Sequence, residues 1–147
     1  MKDTLDNNIH WQAMTLFTHL KHDLVKFAEQ HNLNLSQLQA LLSLEPNHPI
    51  PMNRLSCMVG CDASYITGVV DKLLALQLIT RQESEHDRRI KTIELTEAGV
   101  QFREHLIRAL SDFSNDYFSA VISSKDTSPT LLDLMNEVAI TRQNKLT

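Results

Sequence analysis

Glycine and proline are both scarce in this chain, with three and four residues respectively among 147. An all-β protein needs many tight turns, and those turns use glycine and proline heavily. The shortage therefore disfavours an all-β fold and favours helices. The length predicts a single domain over residues 1–147, long enough to bury a core of its own.

Long apolar runs are also missing from the sequence. No stretch approaches the ~20 consecutive apolar residues that a membrane-spanning helix needs. The N-terminal residues MKDTLDNN do not have the basic-then-apolar order of a signal peptide. We therefore expect a soluble, cytoplasmic protein with no membrane partner.

Cysteine is limited to Cys57 and Cys61, four positions apart in an expected helical hairpin. A disulfide between them would close too short a loop to stabilise the fold, which favours a reducing compartment. Redox sensing is the functional alternative for Cys57 and Cys61, and it requires an exposed thiol with a lowered pKa. Ordinary packing is the simpler interpretation of both residues.

Motifs for catalysis are absent as well. The sequence contains no P-loop, no G-x-G-x-x-G and no H-E-x-x-H, and no serine or histidine lies in a recognisable nucleophile motif. His19 and His22 are one helical turn apart, but pairs at this spacing are common by chance and do not make a metal site. We therefore predict that the chain is not an enzyme and has neither a cofactor nor a metal.

The net charge of −4 is unevenly distributed. Residues 62–91 carry five cations and five acidic residues, whereas residues 92–147 carry five and eight. Within the first of these segments, Arg88, Arg89 and Lys91 lie close together. A chain with negative net charge can still bind nucleic acid through a locally basic face, so the charge permits DNA binding without demonstrating it.

The N-terminal part of the sequence predicts two helices. Apolar residues recur at steps of three and four over Ile9–Gln30, which indicates a long amphipathic helix that ends near Asn32. Asn34 and Gln37 have the spacing of a capping box for a second helix. Pro46 ends that helix.

The next segment predicts a helix-turn-helix. Residues 49–51 (Pro-Ile-Pro) form an extended connector or a short edge strand. Met52–Val59 is a short helix, Gly60 its C-terminal cap, and Ala63 to about Gln77 a second helix, the candidate recognition helix. Its outward positions are predicted to be Ala63, Ser64, Thr67, Gly68, Asp71 and Lys72, with Tyr65 at the margin.

A β-hairpin follows in the pattern. Strand-like residues 78–80 and 91–95 flank a charged segment, Ser84 to Arg89, which is typical of a winged helix with a basic tip. Thr96 then begins a helix of about six turns, and Ser128 caps a final helix. The predicted fold is mainly α with a small β-hairpin wing (α+β), a winged helix-turn-helix with long terminal helices.

The residues Asp87-Arg88-Arg89, followed by Leu95-Thr96 and Gly99, resemble the D-x-R…L-T-x-x-G signature of the MarR (multiple antibiotic resistance regulator) family of bacterial transcription factors. The pattern Asp62-x-Ser64-x-Ile66-Thr67 is similar to the start of that family's recognition helix. The order of helices agrees over essentially the whole chain.

The resemblance implies a sequence-specific regulator of transcription that binds double-stranded DNA. It implies an effector-responsive repressor that binds a pseudo-palindromic operator as a homodimer, with a small-molecule effector of unknown identity. Residues 33–96 would form the DNA-binding region, and residues 1–32 with 97–147 the helical dimerisation region.

The same resemblance assigns roles within the DNA-binding region. Base edges or phosphates would be contacted from the recognition helix and the wing, by Ser64, Tyr65, Thr67, Lys72, Arg88 and Arg89. Asp87 would pair with Arg89 and stabilise the wing.

Two departures from the family pattern stand out. Gln77 occupies the place of a glycine and must adopt a left-handed backbone or end the helix differently. Gly68 occupies the place of a residue that is often basic, which removes one contact to DNA. A winged-helix module that binds protein rather than DNA, and a regulator that senses oxidants through cysteine, remain the alternatives.

Overall fold

The computed structural model describes residues 8–84, 87 and 89–122, and these residues form five helices and one three-stranded sheet. The helices are α1 (Ile9–Gln30), α2 (Leu35–Ser43), α3 (Met52–Val59), α4 (Ala63–Ala75) and α5 (Glu97–Ile122). The strands are β1 (Ile50–Pro51), β2 (Ile79–Glu83) and β3 (Lys91–Leu95). The mainly α fold with a small wing is confirmed, and the helix predicted after Ser128 lies outside the described residues.

Two compact units make up the chain. Met1–Thr96 is the first and contains α1 through β3; Glu97–Thr147 is the second, and α5 is its described part. Within the described residues, no helix is both long enough and apolar enough to cross a membrane.

The start of α2 is fixed by the capping box that the sequence predicts. The Asn34 side chain accepts the Gln37 backbone N–H at 2.9 Å, and the Gln37 side chain accepts the Asn34 backbone N–H at 2.9 Å. Two of the backbone donors at this helix end are thereby satisfied. The buried side chains of Leu38 and Leu41 then hold the helix against the core.

Helices α3 and α4 form the predicted helix-turn-helix. Gly60 ends α3 in the left-handed region, with φ 76°, where glycine carries no Cβ penalty. Two residues later, Asp62 caps α4 by accepting the Tyr65 backbone N–H at 2.8 Å. Leu55 of α3 and Ile66 of α4 are fully buried, so the two helices contribute to one core.

The sheet has the order β1-β3-β2 and is antiparallel throughout. Strands β2 and β3 pair from Ile79↔Leu95 to Glu83↔Lys91, and this hairpin is the wing. Strand β1 lies at the edge, where Pro51 opposite Thr92 removes no bond from the interior of the sheet. The expected edge strand is confirmed, while β2 begins one residue later than predicted and extends further.

Helix α4 ends in a left-handed turn. It stops at Ala75, short of the predicted Gln77, and Gln77 has φ 59°. The Gln77 N–H donates to Leu74 O at 2.9 Å and the Leu78 N–H to Leu73 O at 3.1 Å, the paired bonds of a Schellman cap. The expectation of a left-handed Gln77 is confirmed.

Apolar surface on α1 is buried only towards its C-terminal end in the single chain. Phe27 and Ala28 lie in the core, whereas Trp11 is 52% exposed and Phe17 65% exposed. The predicted helical stripe is therefore present, but its N-terminal half has no cover within the chain as described.

Replacing Gln77 by glycine should stabilise the protein, because glycine adopts a positive φ without the steric cost that a Cβ incurs. We expect a gain of about 1 kcal/mol in the free energy of unfolding, measured by urea denaturation. The matched control is Gln39→Gly, inside α2, which should cost about 0.5–1 kcal/mol. Equal effects of the two substitutions would contradict the role of the left-handed turn.

Candidate nucleic-acid interface

Helix α4 buries one face and exposes the other. Ile66, Val69, Val70 and Leu73 are buried, so the opposite side of the helix points to solvent. The exposed set, called the reading face from here on, consists of Ala63, Ser64, Tyr65, Thr67, Gly68, Asp71 and Lys72. This exposure agrees with the sequence spacing, whereas contact with DNA stays a prediction.

The two short hydroxyls of the reading face already donate within the protein. Ser64 Oγ donates to Asp62 Oδ1 at 2.7 Å, and Thr67 Oγ1 donates to Ala63 O at 2.9 Å. Their protons are engaged, but their oxygen lone pairs can still accept hydrogen bonds. In a major groove these oxygens are suited to the amino groups of adenine or cytosine, and the Thr67 methyl to a thymine methyl.

Tyr65 extends the reading face towards α2. Its Oη accepts a hydrogen bond from Ser36 Oγ at 3.3 Å, and half of the tyrosine is exposed. The phenolic proton can therefore still donate to a phosphate oxygen while Ser36 holds the ring. Sequence reasoning missed Ser36, because a contact across 29 positions has no local signal in the sequence.

Ion pairs remove part of the basic charge that the sequence suggests. Arg81 Nη1 lies 3.5 Å from Asp71 Oδ1, and Lys91 Nζ lies 2.6 Å from Glu83 Oε1. Neither Lys72 nor Arg89 forms an ion pair with a residue that the structure describes. The cationic character of this surface is therefore concentrated at the end of α4 and at the wing tip.

The wing tip is closed by backbone hydrogen bonds around Asp87. Asp87 Oδ1 accepts the Arg89 backbone N–H at 2.9 Å, and the Ile90 N–H donates to Asp87 O at 2.9 Å. Asp87 thus contacts the main chain of Arg89. The expected pair between Asp87 and the Arg89 guanidinium is not formed. The Arg89 side chain stays exposed, and Arg88 lies outside the described residues.

Asp62 places negative charge at the N-terminus of α4. The Tyr65 backbone N–H and then the Ser64 hydroxyl lower the pKa of the Asp62 carboxyl below its ordinary value, since both stabilise the charged form. A carboxylate at this position also complements the positive end of the helix dipole. The cap is therefore ionised at neutral pH.

The cysteines differ in exposure. Cys57 is exposed on α3, and Cys61 is half-buried beside Asp62. Burial, followed by the charge of Asp62, raises the pKa of the Cys61 thiol, which lowers its thiolate fraction. That direction is opposite to what a thiol sensor needs. In the described part of the chain, no three His, Cys, Asp or Glu side chains are grouped to hold a metal ion.

A family model described as the MarR family matches residues 33–91. The transcriptional repressor MprA of Escherichia coli K12 is 29% identical over 102 residues, which cover 68% of this chain and 58% of the repressor. The chain thus spans 58% of the length of that curated relative.

Solved structures show the same fold. A probable transcriptional regulator from Pseudomonas aeruginosa has a TM-score of 0.75 at 25% identity, covering 91% of this chain and 98% of its own. The repressor CouR bound to a 23-mer DNA duplex has a TM-score of 0.78 at 18% identity, covering 92% of this chain and 94% of its own. The winged helix-turn-helix arrangement is therefore shared with both.

Gly68 is not required by packing, because a Cβ at this position would meet nothing within 4 Å. Replacement by alanine should raise the free energy of unfolding by about 0.5–1 kcal/mol, since glycine weakens a helix interior. Urea denaturation measures the gain. The control, Gly60→Ala, should lower stability because Gly60 has φ 76°. A loss of stability after Gly68→Ala would contradict this prediction, because it would mean that Gly68 packs against something that the described chain does not show.

The Asp62 cap should make stability depend on pH. Because its pKa is lower in the folded state, the charged cap stabilises the fold above the ordinary aspartate pKa of about 3.9 and ceases to do so as pH falls through the lower folded value. Asp62→Asn keeps an acceptor without the charge. Its melting temperature should lie below that of the unaltered chain at pH 7, and the two should converge under acid conditions.

Asp62→Ala is the control for the hydrogen bond itself. It lacks any acceptor and should melt below the asparagine variant at both pH values. If the difference in melting temperature between the unaltered chain and Asp62→Asn does not change with pH, the proposed effect of the Asp62 charge is wrong.

Proposed function

Because the chain belongs to the MarR family, we propose that it is a sequence-specific transcriptional regulator, a repressor that binds double-stranded DNA. One observation carries the proposal: the family match over residues 33–91 contains the helix-turn-helix, β2 and the segment that leads into β3. The name of the relative MprA, a transcriptional repressor, supports the direction of regulation. The other names and structures reported above are likewise those of regulators, which supports a role without catalysis.

In this proposal α4 enters the major groove. Ser64, Tyr65 and Thr67 lie in its N-terminal half, the part of a recognition helix that reaches base edges. The oxygens of Ser64 and Thr67 accept from base amino groups, and the Tyr65 hydroxyl donates to a phosphate. The side chains of Ser64 and Thr67 are short, so the helix must dock closely for them to reach the bases.

Phosphate and minor-groove contacts come from cations. Lys72, in the last turn of α4, is proposed to contact a phosphate. Arg88 and Arg89 at the wing enter a minor groove, where a narrow A/T-rich groove attracts guanidinium. Asp87 organises this tip by accepting the Arg89 backbone N–H, which leaves the side chain available for DNA.

A homodimer is the proposed assembly. The exposed apolar side chains of the N-terminal half of α1 need cover, and these are Trp11, Met14, Leu16 and Phe17. Residues 1–32 with 97–147 supply the dimer region, and residues 33–96 form the DNA-binding region. Two-fold symmetry then presents two reading faces to the half-sites of a pseudo-palindromic operator.

Release from DNA is proposed to follow binding of a small-molecule effector. Such an effector must bind the DNA-competent and the released conformations with different affinity, or it shifts nothing. A repressor of this kind acts in the cytoplasm, where bacterial DNA is.

The proposal is tested by fluorescence anisotropy with the DNA upstream of the chain's own gene. Joint replacement of Arg88 and Arg89 by alanine should weaken operator binding by about tenfold or more, since two cationic contacts are lost. The slope of log affinity against log salt should fall by about one for each phosphate contact removed.

Lys91→Gln is the matched control, because Lys91 also belongs to the wing but is already paired with Glu83. It should change affinity much less than the arginine pair does. Unchanged binding after Arg88 and Arg89 are replaced would overturn the role given to the wing. Absence of any specific binding at moderate salt would overturn the proposed function and favour a protein-interaction module.

A further inference from the structure

The reading face contains one carboxylate, Asp71, in a position where DNA phosphates would approach. Asp71 lies one helical turn after Thr67 and directly before Lys72. Its Oδ1 is 3.5 Å from Nη1 of Arg81, which belongs to β2. The contact links the reading helix to the middle of the first wing strand.

The Asp71–Arg81 pair contributes little to folding. The side chains are 58% and 40% exposed, and solvent screens such a pair so strongly that it adds little to stability. The same two charges matter more when DNA binds. A carboxylate that faces a phosphate costs binding free energy, and charge complementarity determines which DNA the protein prefers. The pair is therefore better understood through binding than through folding.

We propose that Asp71 determines specificity by positioning Arg81, an inference that rests on the proposed function. A guanidinium has five N–H donors in a rigid plane. The 3.5 Å contact between Nη1 and Asp71 Oδ1 keeps the guanidinium beside α4 and restricts the directions in which its other donors can point. Arg81 then meets a phosphate only when the helix is fully docked in its operator.

Non-specific complexes use phosphate contacts almost alone. In such a complex the exposed Asp71 carboxylate repels the backbone, while an Arg81 that stays paired contributes no free cation. In the operator complex, the pre-oriented guanidinium binds with a smaller loss of side-chain entropy. The pair thereby lowers affinity for random DNA more than affinity for the operator.

Simple repulsion gives a different result from positioning. If Asp71 only repelled DNA, its neutralisation would strengthen binding to the operator and to random duplexes by the same factor. If it positions Arg81, neutralisation releases Arg81 to bind any phosphate and the ratio of the two affinities falls. The ratio, rather than the affinity itself, therefore separates the two explanations.

The experiment compares Asp71→Asn, Arg81→Gln and the double variant on two duplexes of equal length. One duplex carries the fragment that the unaltered chain binds most tightly, and the other a scrambled sequence; affinities are measured at several salt concentrations. For Asp71→Asn we expect binding to scrambled DNA to tighten about three- to tenfold, while operator binding does not tighten. The ratio of operator affinity to scrambled-DNA affinity should therefore fall about three- to tenfold.

In the Arg81→Gln background, Asp71→Asn should no longer alter the ratio, because the positioned group is gone. Glu83→Gln is the matched control, because it also removes an exposed, paired carboxylate, but one on β2 that pairs with Lys91 and leaves the Asp71–Arg81 contact in place. The freed Lys91 should strengthen binding to both duplexes alike, so the ratio should stay unchanged. The melting temperatures of all these variants should agree to within a few degrees, because exposed ion pairs contribute little to stability.

An unchanged ratio for Asp71→Asn would overturn the inference, and so would a fall that persists when Arg81 is absent. If the unaltered chain binds the selected fragment no better than scrambled DNA, the proposed function fails and this inference fails with it. If the double variant still binds the operator, with the same ratio of operator affinity to scrambled-DNA affinity as the unaltered chain, the proposed function stands and only this inference is overturned.

Discussion

The left-handed turn at Gln77 is the constraint on which the rest of the DNA-binding region depends. It ends α4 and directs the chain into β2, so it sets where the wing starts relative to the reading helix. The end of β3 returns to the same point, since the Thr96 hydroxyl donates to Gln77 O at 2.7 Å and the Thr96 N–H to Leu78 O at 3.0 Å. A residue with a Cβ tolerates this conformation because the surrounding hydrogen bonds over-determine it.

Charge in the region is divided between neutralised and available cations. The pairs Arg81–Asp71 and Lys91–Glu83 are neutral units along β2: the first joins the middle of the strand to α4, and the second is the strand pair nearest the wing tip. The available cations of the described wing and α4 are at their extremities, Lys72 and Arg89. Long-range attraction to DNA therefore adds little to the binding affinity of this surface, as the net charge of −4 also implies. Binding then depends on a few directed contacts.

The fold was predictable from local chemistry, and its cross-chain contacts were not. The capping box at Asn34, the turn at Gly60 and the left-handed Gln77 each follow from residue types within a few positions. The Ser36–Tyr65 and Asp71–Arg81 contacts join separate elements, so no periodicity reveals them. Local pattern thus predicted which side chains of α4 face outward, but it could not show that two wing cations were already paired.

The reading face and the wing therefore have different capacities to discriminate. In the N-terminal half of α4 the donors of Ser64 and Thr67 are engaged and Gly68 has no side chain, so this half offers acceptors, a methyl group and the Tyr65 hydroxyl but no bidentate donor for guanine. The wing offers a guanidinium suited to groove width and thus to A/T content. If short acceptors alone read the bases, discrimination against a wrong sequence must come largely from how closely the helix docks. A docking requirement of this kind is what a restrained arginine beside a carboxylate would enforce.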